Sequence, residues 1–184
     1  MFEFAKKLLF TGQFKMEKGS ITILKHRFMI IPVHVIVTII KNDPESSRYL
    51  YYGAKQGGVD FADTLISSFK IDSVQKLEEL LINTFNLGGW GELEIIKNDM
   101  QNKFAIFRIR NSSMAVDYGK STEPVCHTNR GFLAGGASRV YNTDVDCVET
   151  KCVSSGSEFC EFIAANKNYI LDNYPALFRK QIII

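Results

Sequence analysis

The apolar positions of this chain change their spacing several times, and each change marks a new element. "SITILKHRFMII", residues 20 to 31, is rich in β-branched and aromatic residues that suit strands. Pro32 then stands where a helix can begin, and "VHVIVTIIKN" follows it before a stop at "NDP". From Pro44 to about Lys70, Tyr49, Tyr52, Leu65, Ile66 and Phe69 recur at helical steps while Gly53, Gly57 and Gly58 interrupt them. The pattern predicts a long helix with small residues where a neighbour packs close. "DSVQKLEELLINTFNLGG" predicts a second helix, with Asp72 or Ser73 as N-cap, Leu77, Leu80, Leu81 and Phe85 on one face, and a glycine stop.

After "GGWG" the period falls to two. "ELEIIK" and "FAIFRIR" read as strands joined through the turn-prone "NDMQN", a hairpin. "PVCHTNRGFLAGGASRVY" begins with a proline and carries Gly131, Gly135 and Gly136, a helix of poor propensity whose small residues permit tight packing. "VDCVETKCV" and "EFCEFIAA" flank "SSGS" as a second hairpin, and "NKNYILDNYPALFRK" closes the chain as a helix. Between the hairpins, "NSSMAVDYGKSTEP" reads as a solvated loop and the one plausible seam; its Ser, Asp and Lys have no base spaced for nucleophilic catalysis. The order and lengths predict an α+β fold, an antiparallel sheet packed against helices, in a single domain spanning residues 1–184.

Composition narrows the functional classes. With 46% hydrophobic and 12% aromatic residues, 184 positions suffice for a sizeable core. A net charge of only +2 forces no basic face on the surface, which argues against direct nucleic-acid binding. The N-terminal "MFEFAKKLLFTGQF" lacks the layout of a secretory signal, and the longest apolar run, Phe28 to Ile40, is broken by Pro32 and His34 and falls short of the roughly 20 residues a membrane helix needs. The expectation is a cytoplasmic, non-transmembrane protein. No dinucleotide-binding glycine motif, P-loop or nucleophile elbow occurs, so nothing points to a catalytic residue.

Three of the four cysteines crowd into "CVETKCVSSGSEFC", residues 147 to 160. In a reducing compartment such a cluster is metal-binding or reactive more often than disulfide-bonded. Glu149 precedes Cys152 with the spacing of a metal knuckle, a hairpin would return Cys160 beside Cys152, and the Gly-rich helix would bring Cys126 across the top. Three thiolates and a carboxylate would close a tetrahedral structural Zn²⁺ site. Two alternatives remain open on spacing alone. The ligands could instead be Cys126, Cys147, Cys152 and Cys160, because Cys147 shares strand parity with Glu149, or the thiols could be buried and metal-free.

The run "VCHTNRGFLAGGASRVYNTDVDCVETKCVSSGSEFCEF" resembles the C-terminal signature of the 4-vinyl reductase domain family, and "GGWGELEIIKND" and "FRIRNS" upstream are also similar to it. The resemblance implies zinc held by Cys126, Glu149, Cys152 and Cys160, with Cys147 outside the site. It also implies a small-molecule-binding fold, shared by phenol-sensing domains of bacterial regulators and by dimerising subunits of the TRAPP vesicle-tethering complex. Residues 1–43 would then supply a homodimer surface and residues 88–165 the sheet and metal site. The expected function is a stand-alone, sensor-like domain for a hydrophobic, aromatic or lipid-like ligand. A dimeric scaffold without diffusible ligand is the alternative, and a reductase a more distant one. For a ligand pocket the sequence offers Trp90 between glycines, Phe162 on the parity of Cys160, and His34 within its apolar stretch; each also reads as a packing residue. His127 follows Cys126 directly but on a helix would point about 100° away from it.

Overall fold

The computed structural model describes residues 2–183. The first element is a helix, α1 (Phe2–Phe10), which buries Phe4 and Leu8. Three short antiparallel strands follow in order, β1 (Phe14–Glu17), β2 (Ser20–Ile23) and β3 (His26–Phe28). Their two-residue turns, Lys18–Gly19 and Leu24–Lys25, have positive φ at both positions, the twist that tight hairpins favour. The strand pattern read through to Ile31 stops earlier: the ladder ends at the pair Ile21–Phe28, and Met29, Ile30 and Ile31 lie exposed beyond it.

Pro32 precedes α2 (Val33–Asn42), as its missing N–H allows. The long helix α3 (Ser46–Phe69) and the amphipathic α4 (Val74–Leu87) come next. Ser73 caps α4, its hydroxyl accepting from Lys76 N, and Leu77, Leu80, Leu81 and Phe85 form the buried face that the spacing predicts. The main sheet contains β4 (Glu92–Asp99), β5 (Phe104–Arg110), β6 (Asp146–Lys151) and β7 (Cys160–Ala165), all antiparallel in the order β4-β5-β7-β6. Both predicted hairpins are present.

Two stretches differ from the sequence reading. The supposed solvated loop holds a short helix, α5 (Ser113–Tyr118), capped by Ser112 and burying Met114 and Ala115. The supposed single closing helix is α7 (Lys167–Asn173) followed by α8 (Pro175–Phe178) and a wide turn over Arg179–Ile183. Pro175 has no N–H to continue the α7 ladder, so it starts a new helix instead.

The Gly-rich helix α6 (His127–Tyr141) lies directly on α3. A Cβ at Gly131 would stand 2.2 Å from Tyr51 O, and one at Gly135 would stand 2.1 Å from Lys55 O. These helices therefore touch backbone to backbone, which outweighs the low helix propensity of glycine. Of the three glycines in α3, only Gly58 faces this contact; Gly53 and Gly57 look into open space. The main core fills the space between α6 and the sheet, and a second cluster of Phe4, Leu8, Phe61, Leu65, Leu77 and Leu80 joins α1, α3 and α4.

Candidate metal centre

Four chain segments bring the predicted ligands together. Cys126 is the residue before α6, Glu149 lies in β6, Cys152 precedes the 3₁₀ turn Val153–Ser155, and Cys160 opens β7. The β6–β7 register jumps from Glu149–Phe162 to Lys151–Glu161, so Thr150 is an extra, bulged residue. On a regular strand Glu149 and Cys152 would face opposite sides; the bulge turns both inward. Their ligand atoms and those of Cys126 and Cys160 all lie within 4.8 Å of one another, and all four residues are buried. Cys147, also buried, lies outside this group, and its N–H donates to the Tyr51 hydroxyl at 3.2 Å.

The spacing suits one small cation. Cys126 Sγ lies 3.8 Å from Cys160 Sγ, which lies 4.0 Å from Cys152 Sγ. Two thiolates at 2.3 Å from a tetrahedral ion would be about 3.8 Å apart. Glu149 Oε2 accepts from Cys126 N at 3.0 Å, while Glu149 Oε1 is buried without any partner in the protein. A buried carboxylate oxygen without a donor is costly, and a cation in the cluster would satisfy it. The donor set of three thiols and a carboxylate is one that zinc accepts.

The charges of the cluster are interdependent. Hydrogen bonds with Cys152 and Cys160, then burial, push the Cys126 thiol well up. Burial and the neighbouring Cys152 push the Glu149 carboxyl well above the usual carboxylate range. Cys152 is driven the other way by hydrogen bonds from Cys126 and Cys160, supported by Ser154 at 2.9 Å. The bond with Cys126 lowers the Cys160 thiol, yet its contact with Cys152 and its burial leave it raised. Four acidic groups this close hold one negative charge on Cys152 readily, and the other three become anionic only if a cation joins them.

Surrounding side chains complete the enclosure. Ser112 Oγ, fully buried, lies 3.4 Å from Cys126 Sγ and accepts from Asn129 Nδ2; its place in "NSS" ahead of an apolar pair is a capping signal that a loop reading overlooks. His127, the neighbour of Cys126, has its pKa pushed down to about 3 by burial and by Arg130, so its ring is neutral.

The three ligand-pocket residues suggested by the sequence are dispersed. His34 is exposed on α2, and Phe162 is fully buried on β7 between Glu149 and Phe107 in the ladder. Trp90 is half-buried, its ring centroid 5.8 Å from both Phe85 and Phe132. An apolar crevice of about 40 Å³ instead opens between α4, α6 and the β4–β5 hairpin, walled by Leu81, Leu93, Phe107, Phe132 and Leu133. Its polar groups form a chain, in which Tyr141 OH donates to Asn98 Oδ1 at 2.7 Å and Asn98 Nδ2 donates to Glu78 Oε1. Sequence periodicity gives no hint of this trio, because its members come from a helix, a strand end and another helix.

Comparison with known proteins places this architecture in a class. Residues 105–166, which hold β5 through β7 and all four clustered ligand atoms, match the model of the 4-vinyl reductase domain. The phenol-responsive sensory domain of the transcription activator PoxR, solved with phenol, has the same fold: TM-score 0.78, 14% identity, covering 98% of this chain and 96% of that one. A trafficking protein particle complex subunit 3 from Naegleria fowleri, covalently bound to palmitic acid, gives TM-score 0.55 at 14% identity over 73% of this chain and 90% of its own. A vinyl-4-reductase family protein from Methanocaldococcus jannaschii gives 0.51 at 22% identity over 77% and 84%. At these identities the likeness is one of fold, and the resemblance read from the sequence stands, as does the α+β fold class.

Two curated proteins of Methanocaldococcus jannaschii also match in sequence. MJ1642 is 35% identical over 72 residues, 39% of this chain and 42% of its own length. MJ0150 is 41% identical over 39 residues, 21% and 22%. The chain thus aligns with less than half the length of either relative. Among the described residues, no helix is long and apolar enough to cross a membrane.

Proposed function

We propose that this chain is a cytoplasmic small-molecule-binding domain of the sensor type, stapled by a structural Zn²⁺ and taking a hydrophobic or aromatic ligand rather than performing catalysis. The observation that carries the metal half is the buried Cys126–Glu149–Cys152–Cys160 cluster with the partnerless Glu149 Oε1. These four residues would hold the ion with no position left for water, so the metal would supply cross-linking rather than Lewis-acid chemistry. Cys126 would tie α6 to the β6–β7 hairpin.

The ligand half is supported by the crevice beside α6 and by the likeness to a domain solved with phenol. A void of about 40 Å³ is small. An apolar cavity that admits benzene is about 150 Å³, so a ring would enter only as Phe132 and its neighbours swing aside. Entry would therefore be coupled to movement of α6, the helix that also carries Cys126. Zinc analysis and native mass spectrometry of one purified sample, followed by thermal shift against phenols and fatty acids, test this reading. One zinc per chain with stabilisation by an aromatic or lipid-like compound supports it; absence of both removes it.

A homodimeric, TRAPP-like scaffold is the second reading. It rests on the apolar side chains that the N-terminal region exposes, with Phe10, Met29 and Ile30 at 88%, 76% and 82% exposure. Residues 1–43 would then form the dimer surface. A ligand-free dimer that no compound stabilises would favour it.

A further inference from the structure

One buried cation, Arg130, has no role in the fold or in the ligand set described above. This side chain is 1% exposed, yet among the described residues no carboxylate forms an ion pair with it. Its Nη1 donates to Cys147 O at 3.3 Å and Gln181 O at 2.9 Å, its Nη2 lies 3.0 Å from His127 Nδ1, and its guanidinium carbon sits 4.7 Å from the centre of the Tyr51 ring. Its Nε has no partner. All of these neighbours are neutral, His127 included. Asp146, the nearby carboxylate that receives the Tyr51 hydroxyl, is already paired with Lys55 at 2.9 Å. A fully buried cation with only dipoles around it is an expensive arrangement that a protein keeps only where a negative charge answers it.

That negative charge is one helical turn away. Arg130 N donates to Cys126 O at 3.0 Å, so the guanidinium is carried by the same turn of α6 that carries the first ligand. Its other anchor is the carbonyl of Cys147, two residues before Glu149 on β6. Gln181, whose carbonyl Arg130 also holds, brackets the Glu149 backbone with two bonds, Glu149 N to Oε1 at 2.8 Å and Nε2 to Glu149 O at 2.9 Å. Arg130 thus grips both ligand-bearing segments and the C-terminal turn that fixes one of them. Three thiolates, a carboxylate and a divalent cation leave a net double negative charge in a buried site, where low dielectric makes an opposing charge effective. We infer that Arg130 is the internal counter-charge of the metal centre, a positioning residue that lets an otherwise over-anionic Cys₃Glu set hold its ion without exposure to water.

This inference rests on the metal reading, and the experiment separates the two. Zinc affinity is measured by competition with a chromophoric chelator on the full chain, for wild type, Arg130→Gln, Arg130→Lys and Glu149→His, and for each Arg130 change combined with Glu149→His. Loss of an outer-shell partner typically weakens metal binding about 10- to 100-fold, and that is the effect expected for Arg130→Gln. Arg130→Lys, which keeps the charge but not the fork of donors, is expected to recover most of it. In the Glu149→His background the centre bears a single net negative charge, so the penalty of Arg130→Gln should shrink to within about threefold. Equal penalties in both backgrounds, or a Lys variant as weak as Gln, would reduce Arg130 to a hydrogen-bonding strut and overturn the inference. If Arg130→Gln alone does not fold, the double variant is expected to return soluble, zinc-loaded protein, and its failure to do so overturns the inference equally. Wild-type protein that binds no zinc sinks the metal reading itself; wild-type binding with unchanged Arg130→Gln affinity sinks only the role of Arg130.

Discussion

Replacing Gly135 by alanine should destabilise the protein even though alanine is the better helix former. A Cβ there would meet Lys55 O at 2.1 Å and Val59 N at 2.8 Å. Relieving the closer contact to an ordinary 3.4 Å requires α6 and α3 to part by about 1.3 Å. The obstructing atoms are main chain and cannot rotate away, so the cost belongs at the upper end of overpacking, about 3 kcal/mol. The gain in helix propensity returns about 1 kcal/mol, leaving a net loss of about 2 kcal/mol. Gly57→Ala in α3 is the control, since nothing lies within 4 Å of its Cβ; it should gain about 0.5–1 kcal/mol. For a chain of this size those values correspond to a melting temperature about 4–8 °C lower for Gly135→Ala and about 1–4 °C higher for Gly57→Ala. Urea unfolding followed by circular dichroism on both variants reads the difference. A Gly135→Ala protein at or above wild-type stability would refute the backbone-to-backbone contact of these helices.

Metal loading should release protons. With Cys126, Glu149 and Cys160 raised and Cys152 lowered, the metal-free cluster at neutral pH holds its protons on the first three. Zinc titrations in buffers of different ionisation enthalpy should therefore show about three protons displaced per ion, and affinity should fall as pH falls; displacement of none would contradict the assigned ligands. Tyr141→Phe removes the donor to Asn98 inside the crevice, and should weaken any stabilising ligand several-fold while costing about 1 kcal/mol of stability; an unchanged thermal shift would move the ligand elsewhere. Ile30→Glu places a charge on the exposed N-terminal apolar surface, and should shift a dimer toward monomer in sedimentation without altering the melting of the monomer.

Much of the fold is legible in the sequence because its signals are local. The buried face of α4 follows from leucine spacing and a serine cap, and the β4–β5 hairpin from period-two alternation. Glycines in the segment from Thr128 to Tyr141 signal close packing, although which glycines of α3 answer them depends on helix phase: Gly58 does and Gly53 and Gly57 do not. Strand parity alone cannot choose between Cys147 and Glu149, because the Thr150 bulge that carries Cys152 to the side of Glu149 leaves no mark in a one-dimensional pattern. The closing segment divides where a single proline outweighs the apolar periodicity around it. Residues of the crevice are hidden for a different reason. Glu78, Asn98 and Tyr141 come together only through the packing of α4 and α6 on the hairpin, and each alone reads as an ordinary surface or helix position. Arg130 carries no sequence signal because an arginine in a helix is normally solvated, and its burial is a property of where α6 sits.

The central claim is that three thiols and one carboxylate staple α6 to the β6–β7 hairpin through a metal ion. Zinc content per chain, measured on wild type and on Cys152→Ser and paired with urea unfolding before and after a strong chelator, tests it most directly. The account predicts one zinc per wild-type chain, loss of zinc from Cys152→Ser, and a marked drop in stability of the wild type on chelation that the variant does not show. A Cys152→Ser protein that keeps its zinc, or a wild type that holds none and unfolds identically with and without chelator, would contradict it.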